Sequence, residues 1–220
     1  QCGREIRSRG MKWSMVSNGH FYTAKKHNAL LNAGMGALTI SLDGMEKSHN
    51  WLRNNASSFA KVETAISLAV SAKRLSFDIV TCVNRRNIVE LQSIFEFLID
   101  KGVHTWRLFT IIPIGRAAAN PDMLLSDEEF KQLMDFIVDK RKEKKIEVSF
   151  SCEGYVGEYE TKVRDSYFFC RAGINIGSVL IDGSIMACPN IDRSFAQGNI
   201  YQDNLSEIWQ TKYHAFRDRS

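Results

Sequence analysis

Apolar, β-branched runs alternate with helix-period segments from Met11 to Phe150, joined by short connections. That alternation is what limits the fold most, because strand, helix, strand with short links gives a parallel sheet covered by helices. The strands are read at Met11–Val16, Ala37–Leu42, Leu75–Val83, Thr105–Pro113 and Ile146–Phe150. Between them, helices are expected at Ala24–Ala33, Phe59–Ser71, Asn87–Asp100 and within Pro121–Lys142, the last capped by Ser126. A further helix end, Gly3–Arg9, precedes the first strand. The runs are nearly continuously apolar, as expected of strands buried on both faces. An open sheet and part of a barrel fit equally well. In either, ligands lie at the carboxyl ends of the strands. Those ends are polar or glycine-bearing: Asn18-Gly19, Ser41 to Gly44, Val83 to Arg85 and Ile112 to Arg116.

After Ser151 the texture turns to Gly, Tyr and charged residues, which places a domain boundary between 150 and 151. In the second part, Asp182-Gly183 between apolar runs predicts a β-hairpin with a type I′ turn. A short helix follows from about Leu205. Cys170 precedes that hairpin and Cys188 ends it, so folding brings the two thiols toward each other. Thiolates suit zinc or iron–sulfur clusters, although a pair is fewer than a four-coordinate centre needs and buried structural cysteines also fit. The other cysteines are Cys2, Cys82 in an apolar strand, and Cys152 near the boundary. Five cysteines spread over 220 residues are no disulfide framework and point to a reducing cytoplasm. A net charge of +4 comes from interspersed acids and bases, with no nucleic-acid-binding signature. No run approaches the ~18 apolar residues of a membrane span. The polar start is no signal peptide, and an opening Gln in place of Met reads as a processed or truncated chain.

The run CRAGINIGSVLIDGSIMACP at 170–189 resembles the opening of a SPASM domain. That family's pattern is a cysteine, a spacer, a glycine, four residues and a second cysteine, matched here by Cys170, Gly183 and Cys188. Gln197 to Ile200 and Leu205 to Trp209 are similar to the segment that follows in that family. The preceding part resembles the radical S-adenosylmethionine core on which SPASM domains follow. Ser17-Asn18-Gly19 resembles the turn after the third barrel strand, and Ser41-Leu42-Asp43-Gly44 the end of the fourth. Val83-Asn84 and Ile112 to Arg116 fit the ends of the fifth and sixth. The implied fold is α/β, a partial radical S-adenosylmethionine (β/α)6-type barrel over 1–150 and a truncated SPASM domain over 151–220. The family's Cys-x-x-x-Cys-x-x-Cys motif does not occur in the sequence, nor does the second SPASM cysteine cluster.

The resemblance implies an enzyme that reductively cleaves S-adenosylmethionine to a 5′-deoxyadenosyl radical and abstracts hydrogen from a peptide or protein. Its implied cofactors are S-adenosylmethionine and [4Fe–4S] clusters, and its implied reductant is a flavodoxin or ferredoxin. By that resemblance Ser41 and Asp43 contact the ribose and amino-acid portions of the cofactor, the other reading being that Asp43-Gly44 makes a strand-ending turn. Asn18 and Asn84 contact it through their amides or satisfy local backbone, Ile112 and Ile114 line the adenine or form a plain strand end, and Arg116 faces a carboxylate or solvent. Cys170 and Cys188 become ligands of an auxiliary [4Fe–4S] cluster. Pro189 stands where some relatives carry an acidic base, so that role is not transferred. The rival readings are a truncated copy without radical activity and an unrelated metabolite-binding α/β barrel.

Overall fold

In the computed structural model, residues 1–151 and 153–218 are described, except for the side chain of Arg116. Cys152 and the Arg116 side chain, both singled out above, lie outside the described residues. The chain divides into two compact units, Gln1–Tyr167 and Phe168–Ser220.

The first unit opens with α1 (Cys2–Ser8) and β1 (Trp13–Ser17), then α2 (Ala24–Asn32) and β2 (Met35–Ser41). Next come α3 (Glu46–Leu52), α4 (Ser58–Ser71) and β3 (Ser76–Val83). A 3₁₀ turn at Ile88–Glu90 leads into α5 (Leu91–Asp100), followed by β4 (Thr105–Thr110), α6 (Asp127–Glu143) and β5 (Glu147–Phe150). The five strands lie in sequence order, each parallel to the next, in the register Val16↔Thr39↔Asp78 and Val80↔Arg107↔Ser149. All carboxyl ends therefore share one edge, as the alternation predicts. The fold class matches the expected partial barrel.

One expectation about the strands is corrected. They alternate; they are not apolar on both faces. Leu38, Ile40, Ile79, Val83, Trp106, Leu108 and Val148 are buried beneath Val62, Ile66, Ile94, Phe95, Leu133 and Ile137 of the helices. A buried hydroxyl is tolerated in this layer because it is bonded twice. Thr81 Oγ1 donates to the Leu42 carbonyl (2.6 Å) and accepts the Trp106 indole N–H (2.8 Å). The opposite face carries a polar network across three neighbouring strands. Thr39 Oγ1 donates to Asp78 (2.7 Å), and Arg107 Nε donates to the other oxygen of Asp78 (2.5 Å).

The helix starts follow local chemistry. Ser126 accepts the Glu129 N–H (3.2 Å), while the Glu129 carboxylate accepts the Ser126 N–H (2.7 Å), closing a capping box. Strand β4 stops at Thr110, short of the expected Pro113. The Thr110 N–H is taken by the Glu153 carboxylate (2.7 Å), and proline could not continue the ladder.

The domain boundary is also corrected, from 150/151 to 167/168. The segment after β5 remains with the first unit because α7 (Glu160–Val163) packs on β5 and α6 and Val163 joins the main core. In the second unit, β6 (Ser178–Val179) pairs antiparallel with β7 (Ser184–Met186), and β8 (Gly198–Asn199) completes a three-stranded sheet. Helices α8 (Leu205–Thr211) and α9 (His214–Arg217) close it. Ile185, Ala187, Ile208 and Tyr213 form its core. The hairpin is where the sequence puts it, but its turn differs. Asp182 does not have the positive φ that a type I′ turn requires, whereas Gly183 has φ +84°. Gly183 N–H donates to the Leu180 carbonyl and Leu180 N–H to the Ser184 carbonyl, which gives a three-residue loop with glycine in the left-handed position. Among the described residues no helix is long and apolar enough to cross a membrane.

Candidate functional site at the strand carboxyl ends

The turn after β1 is built from its own side chains. Ser17 Oγ accepts the Gly19 N–H and Asn18 Oδ1 accepts the His20 N–H, both at 3.1 Å. Asn18 itself is exposed. Gly19 has φ +73°, and a Cβ there would lie 3.0 Å from Val62 Cγ2 and 3.1 Å from Val62 Cα on α4. Gly10 has a similar φ of +76° with nothing within 4 Å of its would-be Cβ. Gly10→Ala therefore carries the backbone cost alone, about 1 kcal/mol, and Gly19→Ala adds an overlap with α4 for roughly 2–3 kcal/mol in all. Urea unfolding of the two variants tests this. Equal losses would show that α4 yields without strain.

After β2 the chain is fastened inward. Asp43 is 1% exposed. Its Oδ1 accepts the Cys82 N–H (2.9 Å) and its Oδ2 is ion-paired with Arg53. Its own N–H donates to His49 Nδ1 (3.0 Å), and its carbonyl accepts an Asn87 Nδ2 hydrogen (2.9 Å). Because His49 Nδ1 accepts, the ring proton sits on Nε2, which donates to Ser58 Oγ (3.1 Å). Burial holds the His49 pKa down to about 4, with Arg53 adding to the effect and Asp43 opposing it. Glu90 fixes the start of α3 by accepting the Met45 N–H (2.8 Å) and the Ser48 hydroxyl (2.7 Å).

Two of the residues expected to touch a ligand, Asp43 and Asn84, turn inward. The Asp43 carboxylate is engaged on both oxygens inside the protein, so it holds Arg53 and the end of β3 in place. Asn84 is 2% exposed, and its Oδ1 accepts the Arg86 N–H (2.9 Å) and the Asn87 N–H (3.3 Å) of its own turn. Strand-end position alone gave no sign of these inward hydrogen bonds. Ser41 is half-buried at the same edge. Ile112 and Ile114 are exposed at 42% and 57%.

Three residues at this edge escaped the sequence reading: Arg53, His49 and Asn87. Arg53 Nε is buried and has no hydrogen-bond partner among the described residues. A buried guanidinium N–H without an acceptor is costly, so the position fits an anionic group from outside the chain. Nearby, burial raises the Glu153 pKa and pushes the Cys82 thiol up to about 11. At neutral pH Cys82 is a neutral thiol, consistent with its assignment to the interior.

In the second unit, Cys170 is exposed and Cys188 half-buried against the small core. Just after Cys170, the Arg171 carbonyl accepts the Asn175 and Ile176 N–H groups (both 3.2 Å), closing a turn that precedes the hairpin. The soft thiol pair has the right chemistry for iron. No group of three or more His, Cys, Asp or Glu side chains that could hold a metal occurs among the described residues.

The SPASM family model, described as an iron-sulfur cluster-binding domain, matches residues 170–220. The chain is 23% identical over 222 residues to AdoMet-dependent heme synthase of Nitratidesulfovibrio vulgaris, covering 94% of this chain and 60% of that protein. Among solved structures it resembles anSMEcpe with bound AdoMet and Kp18Cys peptide, with TM-score 0.67 and 18% identity over 95% of this chain and 60% of the other. It also resembles Streptococcus suis SuiB bound to the precursor peptide SuiA, with TM-score 0.68 and 12% identity over 93% and 48%. At these identities the structural likeness speaks to fold. The chain spans about 60% of the length of the heme synthase it matches. Residues 170–220 thus match the SPASM family, and the sheet of the first unit shares the fold of these solved structures.

Proposed function

We propose that this chain forms the substrate-side wall and an auxiliary iron–sulfur unit of an enzyme that cleaves S-adenosylmethionine reductively and removes hydrogen from a peptide or protein. The observation that carries this reading is the iron–sulfur domain match over 170–220, with Cys170 and Cys188 flanking a formed hairpin. The likeness to two structures named as peptide-bound supports a peptide substrate. A tetrapyrrole is the second reading, favoured by the heme synthase match.

When bound with a reduced cluster, S-adenosylmethionine supplies the one-electron chemistry. The residues of this chain orient and shield it. Arg53 offers its unpartnered Nε to the carboxylate of the amino-acid portion, with Asp43 holding the guanidinium in place. The Ser41 hydroxyl and Asn18 amide take ribose or amino groups, and Ile112 and Ile114 lie against the adenine. Cys170 and Cys188 hold an auxiliary [4Fe–4S] cluster through their thiolates. A flavodoxin or ferredoxin of the cytoplasm serves as reductant.

Anaerobic iron and sulfide analysis with an optical spectrum tests the reading, on this chain and on the Cys170→Ala/Cys188→Ala variant. The expected result is visible cluster absorbance that disappears in the variant along with its iron and sulfide. Equal iron in both proteins would remove these thiols from the cluster and sink the assignment.

A further inference from the structure

A cavity of about 470 Å3 opens at the edge of the first unit where β3 ends. Its wall combines Trp51 from α3, Arg85 and Arg86 from the turn after β3, and Pro121, Asp122 and Met123 from the loop after β4. Trp51 is 47% exposed, and the Arg86 guanidinium stacks over its ring with Cζ 4.2 Å from the centroid. Arg85 Nε donates to Glu129 (3.0 Å), so that cation is partly neutralised. Arg86 makes no side-chain hydrogen bond or ion pair among the described residues.

Neither arginine is needed to complete the turn. Its geometry comes from Asn84 and Asn87, which receive and give backbone hydrogen bonds on the inner side. The two guanidiniums project from that turn over a cavity whose walls also include proline, methionine and an indole face. One lining carboxylate, Asp122, opposes the two cations. A guanidinium laid flat on a tryptophan keeps its edge N–H groups free for an acceptor in the ring plane. The surface is therefore matched to a carboxylate attached to an apolar neighbour.

We propose that this cavity is a recognition subsite for an acidic peptide segment, in which Arg86, braced by Trp51, pairs with a glutamate or aspartate side chain. An adjacent apolar side chain enters between Met123 and Pro121. The proposal rests on the reading of the substrate as a peptide and specifies the chemistry of the part that docks. It places the contact at the strand-end edge, so a bound segment lies beside the site where the cofactor is proposed to sit.

The test is binding to this chain, followed by tryptophan fluorescence, of an acetylated and amidated Leu-Glu-Leu-Glu peptide. The isosteric Leu-Gln-Leu-Gln peptide and a Leu-Lys-Leu-Lys peptide serve as comparisons. Saturable binding is expected for the acidic peptide alone, weakened by added salt. Arg86→Gln should weaken it about tenfold, in line with the loss of one charge-assisted hydrogen bond. Trp51→Phe should abolish most of the fluorescence change while calorimetry still detects binding. Equal binding of the glutamine peptide, or binding untouched by Arg86→Gln, would overturn the subsite. Neither readout requires iron or S-adenosylmethionine. A chain that fails this test and still loads iron at Cys170 and Cys188 loses the subsite and keeps the cluster assignment.

Discussion

Asp43→Ala is expected to destabilise the first unit by about 3–4 kcal/mol, read as a fall in the urea midpoint with little change in slope. The loss has two sources. Removing one partner of an inward ion pair leaves the other charge uncompensated, which costs about 3–5 kcal/mol when both are buried. Asp43 is 1% exposed but the Arg53 side chain is 30% exposed, so water screens part of that cost. The second source is the Cys82 N–H, which loses its acceptor at the end of β3, for roughly 1 kcal/mol. Asp43→Asn separates the two, because an amide oxygen still accepts from Cys82 while the charge is gone. It should retain about a third of the stability that alanine loses. Asp43→Leu with Arg53→Leu removes both charges and should recover part of the loss, since a buried pair replaced by apolar residues is often close to neutral. If Asp43→Ala unfolds within about 1 kcal/mol of the parent, Arg53 is satisfied by solvent and the fastening role of Asp43 is wrong.

The same residue shows where sequence reading reached and where it stopped. Parallel strands and the single edge that carries their carboxyl ends were legible, because the apolar runs and their short links admit few arrangements. The start of α6 was legible from Ser126 and Glu129, since a capping box is local chemistry. The second face of the sheet was not. Asp78 and Arg107 sit on different strands, and only the register brings them together. Helix α3 was missed for a related reason. Its segment EKSHNWL has no apolar period, and it is held by polar bonds to Glu90 and from the Asp43 N–H, which lie outside it in sequence. Asp43 and Asn84 were placed correctly at strand ends, but strand-end position does not say whether a side chain turns inward. The unpartnered Nε of Arg53 emerges only once α3 is folded against the end of β3. In the second unit the hairpin was legible from Asp182-Gly183, whereas the loop type depended on one φ angle.

Acidification should weaken the first unit through His49. The imidazole is fully buried, accepts the Asp43 N–H at Nδ1 and titrates at about 4 in the folded chain, against 6.5 for an ordinary histidine. Above pH 6.5 the ring is neutral in both folded and unfolded chains, and the shift costs nothing. Between pH 6.5 and 4 the unfolded chain takes up a proton that the folded chain refuses, so stability falls as the pH drops. Linkage puts the slope at up to about 1.4 kcal/mol per pH unit and the whole loss at roughly 3 kcal/mol by pH 4. Protonation there would also sever the Asp43 N–H to Nδ1 hydrogen bond, which pulls on the loop that carries Arg53. Asp43 favours the charged ring and Arg53 disfavours it, so the two nearest charges partly cancel and burial sets the sign. Glu153 works in the opposite direction. Its raised pKa means that the folded chain binds its proton first and gains stability as the pH falls toward the ordinary carboxyl range. The net profile is therefore shallower than the histidine alone would give, and a difference measurement is needed. Urea unfolding of the parent and of His49→Gln at pH 7 and pH 4.5 supplies it, since glutamine can still accept from Asp43 N–H but does not titrate. The variant should lose stability at pH 7 and lose less on acidification than the parent. Parallel curves for the two proteins would mean that His49 protonates as readily folded as unfolded, and that its place beneath the Asp43 turn is not closed to water.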